Sequence, residues 1–481
     1  MAGRRRRADE GRTARAFWLL CAGLGVAGFA HWAGARAATT APRNSALHVA
    51  VTPIPGLSVA ARLVVVAPAA TNVIVHYGSD EAHPAVTTSL PVPSAGTLKT
   101  ALVGLEPGAT THVAVVAHFV DGTATASGDV TVRMPPMDPE LPAALPVTND
   151  GTATGFVMMS LNQKELGHGL AVMLSRRGRV LWYRHCGGGA FDFERLWNGH
   201  FILHQVATRA FEELTLDGTV VRTWTDRESV TGADGHDFKL LPNGNALIFG
   251  AETRRVDSRA YFPGGVENAL RWDDTVSEIT PSGAVAWRWS SYGHLAEEEI
   301  TEDPTDPTDP RDYEVVHTNA IEPMLDDTLL LSFRNLSSVA KIERATGRVL
   351  FRLGGKRSDF RFEGDPLGGF SRQHDARLVG PDRVLLFDDG NLHEPPQSRA
   401  VEYRLDERAK TATLVWEYRP GPALFSRFSG SVQRLPDGHT LIAWGPRGVV
   451  TEVDARSKPV WEVTIPGYGV YRARSAETIY P

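Results

Sequence analysis

Three histidines occupy equivalent positions in neighbouring repeats of this chain. The segment HDARLVGPDRVLLF, which begins at His374, aligns without gaps on HDFKLLPNGNALIF, which begins at His236. His317 begins the corresponding segment between them, where the turn is slightly longer. A lone histidine at a strand start is usually a capping or solvated residue, but an imidazole can also act as acid, base or nucleophile near neutral pH. Three in matching register predict a reactive centre.

Two more polar side chains are expected beside these histidines. A hairpin brings the start of its first strand next to the end of its second, so Arg334, in LLLSFRNLS, is expected opposite His317. Asn319 follows His317 by two residues and therefore shares its face of the strand. A guanidinium presents a planar fork of donors that matches a tetrahedral oxyanion. With no serine or thiol motif alongside, the set predicts transfer of a group with anionic oxygens, either sulfate or phosphate.

The elements that must position these residues are repeats within residues 150–481. One element is a hairpin with Pro, Asn-Gly or Asp-Gly at its turn, which supplies the positive φ angles of a tight turn. The other is a strand that carries one large aromatic residue. These aromatics are 42, 63, 64, 65 and 45 residues apart, and they are Trp182, Trp224, Trp287, Phe351, Trp416 and Trp461. A blade takes roughly 40–50 residues, so a six-bladed β-propeller is predicted, with a hidden seventh blade as the alternative. Equivalent positions in a propeller lie on a ring, so the histidines are expected to meet at one mouth of the channel.

The chain before these repeats is predicted to be β-structure as well, which makes the fold class all-β. Residues 46–134 alternate apolar and polar positions in RLVVVAP, NVIVHYG and THVAVVAHF, as strands of a small β-sandwich do. The run LVGLEPGATTHVAVVAHF resembles the late strands of a fibronectin III-like module. Residues 135–149 are rich in proline and are predicted to be a linker.

The first 37 residues have the order of a signal peptide. Four arginines at residues 4–7 precede an apolar stretch at residues 17–32, and Ala-Arg-Ala at residues 35–37 resembles a cleavage site. The alternative is a retained N-terminal anchor that tethers the protein to a membrane through residues 17–32. Both interpretations place the protein outside the cytoplasm, either periplasmic or secreted.

Charge and cysteine content exclude several classes of function. Without residues 1–37 the chain carries 43 basic and 54 acidic residues, a formal charge of −11, which makes nucleic acid a poor partner. Only Cys186 remains, so an intramolecular disulfide is impossible and a cysteine-ligated metal is disfavoured. The acidic insertion around residues 296–312 is interpreted as a solvated loop, with a Ca²⁺ site or a lid as alternatives. The oligomeric state, including a homodimer, stays open.

Several long motifs resemble one known family. They are GHDFKLLPNGNALIFG, then VVHTNAIEPMLDDTLLLSFRNLSSVAKIERATGRVLFRLGG, then FSRQHDARLVG with LLFDDGN, and finally SGSVQRLPDGHTLIAWG. Together they are similar to the bacterial arylsulfate sulfotransferases over most of residues 150–465. The resemblance implies an exported six-bladed propeller with a small N-terminal β domain. It also implies an enzyme that moves a sulfuryl group from an aryl sulfate to a phenol in two steps, through a sulfated histidine and without a nucleotide donor or other cofactor.

The resemblance also assigns roles to individual residues. His374 is implied to be the nucleophile, and His236 the general acid and base that protonates the departing phenolate and deprotonates the acceptor. His317, Asn319 and Arg334 are implied to hold the sulfuryl oxygens. The chain departs from some members of the family in lacking a cysteine, and hence a disulfide, near this site.

Two other classes of function remain as alternatives. Three imidazoles with the carboxylate of Asp388 would suit a Zn²⁺ or Fe²⁺ hydrolase, although Arg334 disfavours it because a guanidinium repels a cation. A propeller that binds a ligand or partner without catalysis is the third class.

Overall fold

A computed structural model of the protein describes residues 47–80, 82–83, 85–163, 167–302 and 311–480. The predicted signal peptide or anchor, residues 1–37, lies outside these ranges. Residues 46–481 form one compact unit. Over the described ranges, none of the helices has the length and hydropathy that a membrane crossing requires.

Residues 48–133 form two antiparallel sheets that enclose one hydrophobic core. One sheet has the order β1-β2-β6, and the other has the order β4-β3-β7-β8, with β5 beside β3 and β9 beside β7. Apolar side chains of both sheets, such as Leu63 of β2 and Val115 of β7, belong to the same buried cluster. The strands are β1 (His48–Ile54), β2 (Leu57–Val66), β3 (Ala70–Gly78), β4 (Ala85–Val86), β5 (Leu90–Pro91), β6 (Thr97–Val103), β7 (Thr110–Phe119), β8 (Ala124–Ala126) and β9 (Val130–Arg133).

The rest of the described chain is also built from strands. In chain order they are β10 (Val147–Asn149), β11 (Phe156–Gln163), β12 (His168–Ser175), β13 (Val180–Gly187), β14 (Ala190–Arg195), β15 (Phe201–Gln205), β16 (Ala210–Leu214), β17 (Val220–Trp224), β18 (Asp234–Leu240), β19 (Ala246–Val256), β20 (Ala269–Ile279), β21 (Val285–Ser290), β22 (Asp312–Glu314), β23 (Thr318–Pro323), β24 (Thr328–Phe333), β25 (Ser338–Glu343), β26 (Val349–Leu353), β27 (Arg361–Glu363), β28 (His374–Gly380), β29 (Arg383–Asp388), β30 (Arg399–Asp406), β31 (Thr411–Tyr418), β32 (Ser431–Arg434), β33 (Thr440–Ala443), β34 (Val449–Val453), β35 (Pro459–Thr464) and β36 (Tyr468–Ala476). Three single-turn 3₁₀ helices interrupt them, at Ser258–Ala260, Glu297–Glu299 and Gly445–Arg447.

These strands form six successive sheets, here named sheets 1 to 6. They are antiparallel apart from the short strands β22 and β27, which pair in parallel with β20 and β31. Sheets 2, 3, 4, 5 and 6 are the meanders β14–β17, β18–β21, β23–β26, β28–β31 and β32–β35. Sheet 1 combines β11, β12 and β13 with the C-terminal strand β36, which pairs with β11 and so joins the end of the chain to the first sheet. Of the six aromatic residues singled out in the sequence, Trp182 lies in β13 of sheet 1, and each of the other five lies in the last strand of one meander.

The turns of three hairpins each make the same kind of hydrogen bond. Gly199, Gly244 and Gly438 have φ angles of +83°, +83° and +89°, the left-handed values that the Asn-Gly and Asp-Gly signals predict. The residue after each glycine bonds to a glutamate on the third strand, as in His439 Nδ1 to Glu452 Oε1 at 2.8 Å. The corresponding pairs are His200 with Glu213 and Asn245 with Glu278. This polar clasp fixes the register of these three hairpins, and the one in sheet 3 carries His236.

The structure departs from two sequence-based expectations. The last three residues of the predicted 135–149 linker form β10, which adds an edge strand to sheet 6, because Pro146 is the last residue before it without an N–H donor. A solvated loop is predicted for the acidic insertion, but the start of the insertion is buried. Glu297 and Glu299 are buried there because Arg271 and Arg352 bond to their carboxylates. Residues 303–310 of the insertion lie outside the described ranges.

Candidate active site

The three predicted histidines lie in sheets 3, 4 and 5. His236 is in β18, His374 begins β28, and His317 immediately precedes β23. The ring centroids of His236 and His317 are 4.8 Å apart, with the ring planes nearly perpendicular. The charges of both rings, and that of Arg334, act on His374 and lower its pKa. Registers that match along the sequence therefore bring the imidazoles to one place.

Each of these histidines is bonded through Nδ1 to its own carboxylate. His374 Nδ1 lies 2.6 Å from Asp389 Oδ2, and His317 Nδ1 lies 2.5 Å from Glu314 Oε2. His236 Nδ1 bonds to Asp234 in the same way. A carboxylate on Nδ1 fixes the orientation of the ring and leaves Nε2 as the reactive nitrogen. The sequence places the Asp388-Asp389 pair opposite His374 without deciding between the two acids, and it does not single out Asp234 or Glu314.

His374 has the properties of a neutral nucleophile. It is the most buried of the three, with 4% of its side chain exposed. Burial, followed by the positive charges of Arg334, His317 and His236, holds the pKa of His374 well below its ordinary value. The backbone N–H of Ser429 points to Nε2 at 3.4 Å. Because an N–H can only donate, Nε2 here is the unprotonated nitrogen and the proton lies on Nδ1, toward Asp389.

His236 has the opposite protonation behaviour. Burial lowers its pKa, but the Asp234 carboxylate outweighs burial, so the pKa of His236 is raised above its ordinary value. Phe191 and Tyr471 lie against the ring, with centroids 5.5 Å and 5.7 Å from that of His236. The Tyr471 hydroxyl donates to the carbonyl of His236 at 3.0 Å. A protonated imidazole beside two aromatic rings is suited to donating a proton to an aromatic leaving group.

Arg334 occupies its predicted place. Its backbone N–H donates to the carbonyl of His317 at 3.0 Å, which is the expected cross-strand position. The guanidinium is largely buried, and its Nε has no hydrogen-bond partner among the described residues. Burial lowers the pKa of Arg334, and the carboxylates of Asp389 and Glu314 act against that decrease. A buried guanidinium with a free donor is a site for an anion.

Asn319 is close to the site but supports it in an unexpected way. Its Nδ2 donates to the carbonyl of Gln373 at 2.8 Å, so it ties sheet 4 to the residue before His374. Its Oδ1 is buried without a hydrogen-bond partner in the described part of the chain. The first effect of Asn319 is therefore to position the nucleophile. The contact of Asn319 with a sulfuryl oxygen stays a prediction, and the second N–H of its amide would make that contact.

Asp388 does not take part in the histidine cluster. Its carboxylate bonds to Arg399 at 2.9 Å, to His393 at 2.8 Å and to the backbone N–H of Ser371 at 3.0 Å. Adjacent residues of a strand point to opposite faces, so Asp389 reaches His374 and Asp388 cannot. The Asp388 carboxylate is therefore not placed to bind a metal ion together with the three histidines, as the metal-hydrolase alternative requires.

Among the described residues, one group of three histidine and acidic side chains has its ligand atoms within 4.8 Å of one another, and it consists of Asp437, His439 and Glu452. These three residues belong to the hairpin clasp of sheet 6, where Glu452 accepts the hydrogen bond from His439. The cluster is accounted for by the turn.

The backbone around the site is strained. His317, Arg372, Asp375 and Ser429 have φ angles of +53°, +57°, +56° and +64°. Such left-handed conformations cost about 1 kcal/mol or more in residues other than glycine, and they tend to cluster at active sites. Their grouping here agrees with a site whose geometry is fixed by the surrounding sheets.

A family model described as arylsulfotransferase (ASST) matches residues 206–465, more than half of the chain. The chain belongs to the arylsulfotransferase family. Membership implies a sulfotransferase enzyme. The match spans all three histidines, together with Arg334 and Asn319. No curated relative matches the chain.

Several solved structures are similar to parts of this arylsulfotransferase-family chain. A protein of unknown function from Bacteroides caccae is 12% identical, with a TM-score of 0.41 over 67% of this chain and 98% of that one. A catalytically inactive virginiamycin B lyase from Staphylococcus aureus is 11% identical, with a TM-score of 0.36 over 67% and 88%. A β-propeller domain from Myceliophteria thermophila is 12% identical, with a TM-score of 0.35 over 68% and 89%. These scores are too low to transfer a function.

Proposed function

We propose that this protein is an arylsulfate sulfotransferase that moves a sulfuryl group from an aryl sulfate to a phenol through a sulfated His374. The observation that carries the proposal is the pairing of a neutral, buried His374, whose Nε2 is unprotonated, with a His236 whose pKa is raised. One histidine is ready to attack and the other is ready to donate a proton. Two titratable groups with opposite shifts are the usual mark of an acid and a nucleophile.

In the first half-reaction, His374 Nε2 attacks the sulfur of ArO–SO₃⁻ and the S–O bond to the aryl group breaks. His236 gives its proton to the departing oxygen, so a phenol leaves and His374 carries Nε2–SO₃⁻. In the second half-reaction, a phenol loses its proton to His236, and its oxygen attacks the same sulfur. The bond to Nε2 then breaks, a new aryl sulfate leaves, and both histidines return to their starting states.

The remaining groups act by position and charge. Arg334 has a free buried donor for a sulfuryl oxygen, and His317 lies beside His236 with its Nδ1 held by Glu314. A loose transition state, by analogy with phosphoryl transfer, leaves catalysis mostly to positioning and to electrostatic stabilisation. Phe191 and Tyr471 offer an aromatic wall, 4.9 Å between centroids, for the ring of the substrate.

The architecture that supports this proposal is a six-bladed β-propeller preceded by a fibronectin III-like sandwich. Sheets 1 to 6 would be the blades, with β36 closing the ring onto sheet 1. The site would then lie at one mouth of the channel, in a protein that acts in the periplasm or outside the cell. Phenols and aryl sulfates are the proposed small-molecule partners, and neither a cofactor nor nucleic acid is needed.

The decisive experiment is capture of the intermediate. Mature protein incubated with 4-nitrophenyl sulfate alone is expected to release 4-nitrophenol in a burst and to carry an acid-labile sulfate on His374, detected by mass spectrometry. Adding phenol should then give steady turnover. His374→Ala should abolish both the burst and the adduct, whereas His168→Ala, on sheet 1 and paired with Glu140, should keep both.

Two further outcomes separate this proposal from the alternatives. Activity that survives EDTA supports sulfotransfer without metal, and activity lost with EDTA and restored by Zn²⁺ would favour the hydrolase. An absence of adduct and of turnover with a range of aryl sulfate donors would sink the transferase and leave the non-catalytic propeller.

A further inference from the structure

A second buried guanidinium lies beside the proposed site. Arg372 stands two residues before His374, and 9% of its side chain is exposed. Its Nη1 has no hydrogen-bond partner among the described residues, and its Nε approaches Glu302 Oε2 at 3.4 Å without making a hydrogen bond. A buried guanidinium with unused donors is costly unless an anion binds to it.

The charges around Arg372 make the need for an anion stronger. Burial lowers its pKa to about 10, and the positive charge of Arg334 contributes to the decrease. Arg427, which is exposed, also acts on both guanidinium groups. Three like charges therefore converge, and the nearby acids are Asp389, which is already bonded to His374, and the partly exposed Glu302.

Arg372 and Arg427 each lie two residues before a residue of the site, His374 and Ser429 respectively. Arg372 precedes His374 in one segment, held by a hydrogen bond of 3.1 Å from its backbone N–H to Ser337 Oγ. Arg427 precedes Ser429, whose N–H contacts His374 Nε2. The backbone N–H of Arg334 bonds to the carbonyl of His317, which holds this residue beside a histidine of the site. The proposed function assigns Arg334 to the sulfuryl group, so the unused Nε and Nη1 donors of Arg372 are left for a different anion.

The net charge of the substrate decides which anion this is. An aryl sulfate is a monoanion, for which the Arg334 guanidinium supplies the matching charge. A substrate that also uses Arg372 and Arg427 must carry a second negative group. We infer that the preferred substrates of this site are aromatic compounds with an additional anionic substituent, in particular a carboxylate on the ring, which Arg372 binds and Arg427 attracts. This inference rests on the proposed function.

Glu302 supplies a structural precedent for a carboxylate at Arg372. Its Oε2 lies 3.4 Å from Nε, but 43% of the Glu302 side chain is exposed, and Nη1 has no hydrogen-bond partner in the described part of the chain. A ring carboxylate could use both Nε and Nη1 in the bidentate manner that a guanidinium favours. Glu302 would then turn toward solvent.

The test compares two acceptors that differ in one charge. With 4-nitrophenyl sulfate as donor, kcat/KM is measured for 4-hydroxybenzoate and for its methyl ester, and the ratio is compared between proteins so that intrinsic reactivity cancels. Arg372→Gln is expected to lower the ratio at least tenfold, and Arg427→Gln to lower it less and in a salt-dependent way. Arg259→Gln, an exposed arginine paired with Asp257, should keep the wild-type ratio.

Two outcomes would contradict the inference. A ratio within twofold of wild type in Arg372→Gln overturns it, and an equal loss for both acceptors assigns Arg372 to the sulfuryl group instead. If Arg372→Gln does not fold, Arg372→Lys keeps the charge without the fork and should lower the ratio by a smaller factor.

Calorimetric binding of 4-hydroxybenzoate and its methyl ester, without donor, separates the two proposals. Binding that depends on Arg372 without any sulfotransfer would end the proposed function and keep the anion site. Sulfotransfer with an unchanged acceptor preference would do the reverse.

Discussion

Replacing Asp389 by asparagine tests the proposed state of the nucleophile. The change keeps the volume of the side chain and removes the carboxyl group that bonds to His374 Nδ1 at 2.6 Å. Burial raises the pKa of Asp389 well above its ordinary value, and the Arg334 guanidinium opposes that rise. An asparagine can accept from Nδ1–H, but its amide can also donate to Nδ1, which moves the ring proton to Nε2 and blocks attack. It also removes one of two acids, the other being Glu302, that act on both Arg334 and Arg372.

The expected loss follows from the strength of this hydrogen bond. A hydrogen bond to a charged group contributes about 1.5–3 kcal/mol, which corresponds to roughly a 10- to 100-fold change in rate. The Asp389→Asn variant should therefore release 4-nitrophenol in the first half-reaction about 10- to 100-fold more slowly, and by a similar factor for donors with good and poor leaving groups. Stopped-flow absorbance of the burst phase measures this step directly.

Stability must be measured alongside the rate, because Asp389 is buried. A thermal unfolding midpoint close to that of wild type shows that the loss of rate is local. Asp326→Asn, an exposed acid on the turn between β23 and β24, provides the control and should match wild type in both measurements. A folded Asp389→Asn variant with a burst rate within threefold of wild type would refute the assignment of His374 as an imidazole oriented by Asp389.

Two other predictions concern the acid and the fold. The Asp234 carboxylate raises the pKa of His236. Asp234→Asn should therefore move the alkaline limb of the pH profile of kcat/KM to lower pH, most clearly for donors with poor leaving groups. An alkaline limb that does not move would mean that another group donates the proton. Arg472→Met should lower the free energy of unfolding in urea by about 3–5 kcal/mol, because it strands the buried carboxylate of Asp192 and removes one of the cations paired with Asp237. A loss below 1 kcal/mol would show that other cations compensate.

The sequence predicts the hairpins and the register of the histidines because both depend on local signals. Turn residues set where each hairpin bends, and a period of two then sets which residues share a face. The same rule does not identify which residue of the Asp388-Asp389 pair bonds to His374. Alternation alone cannot decide which of two adjacent acids faces His374, and β28 is irregular there, with a register shift after His374.

Other parts of the site are invisible to local reasoning. Asp234 and Glu314 lie two and three residues before their histidines, a proximity that gives a weak signal in retrospect. Tyr471 comes from β36, at the far end of the chain, and nothing in its segment marks it as a neighbour of His236. Arg372 reads as one surface arginine among many until burial shows that its donors are unused.

The C-terminal strand β36 contributes both to the site and to the stability of the fold. Arg472 and Tyr471 are adjacent in β36, so their side chains point to opposite faces. Arg472 bonds to Asp237 at 2.8 Å, the residue after His236, and Tyr471 bonds to the carbonyl of His236 itself. One strand thus satisfies a buried charge and holds His236, the proposed general acid. Loosening β36 should therefore weaken proton donation at His236 before the sheets themselves unfold, since local opening requires less free energy than global unfolding.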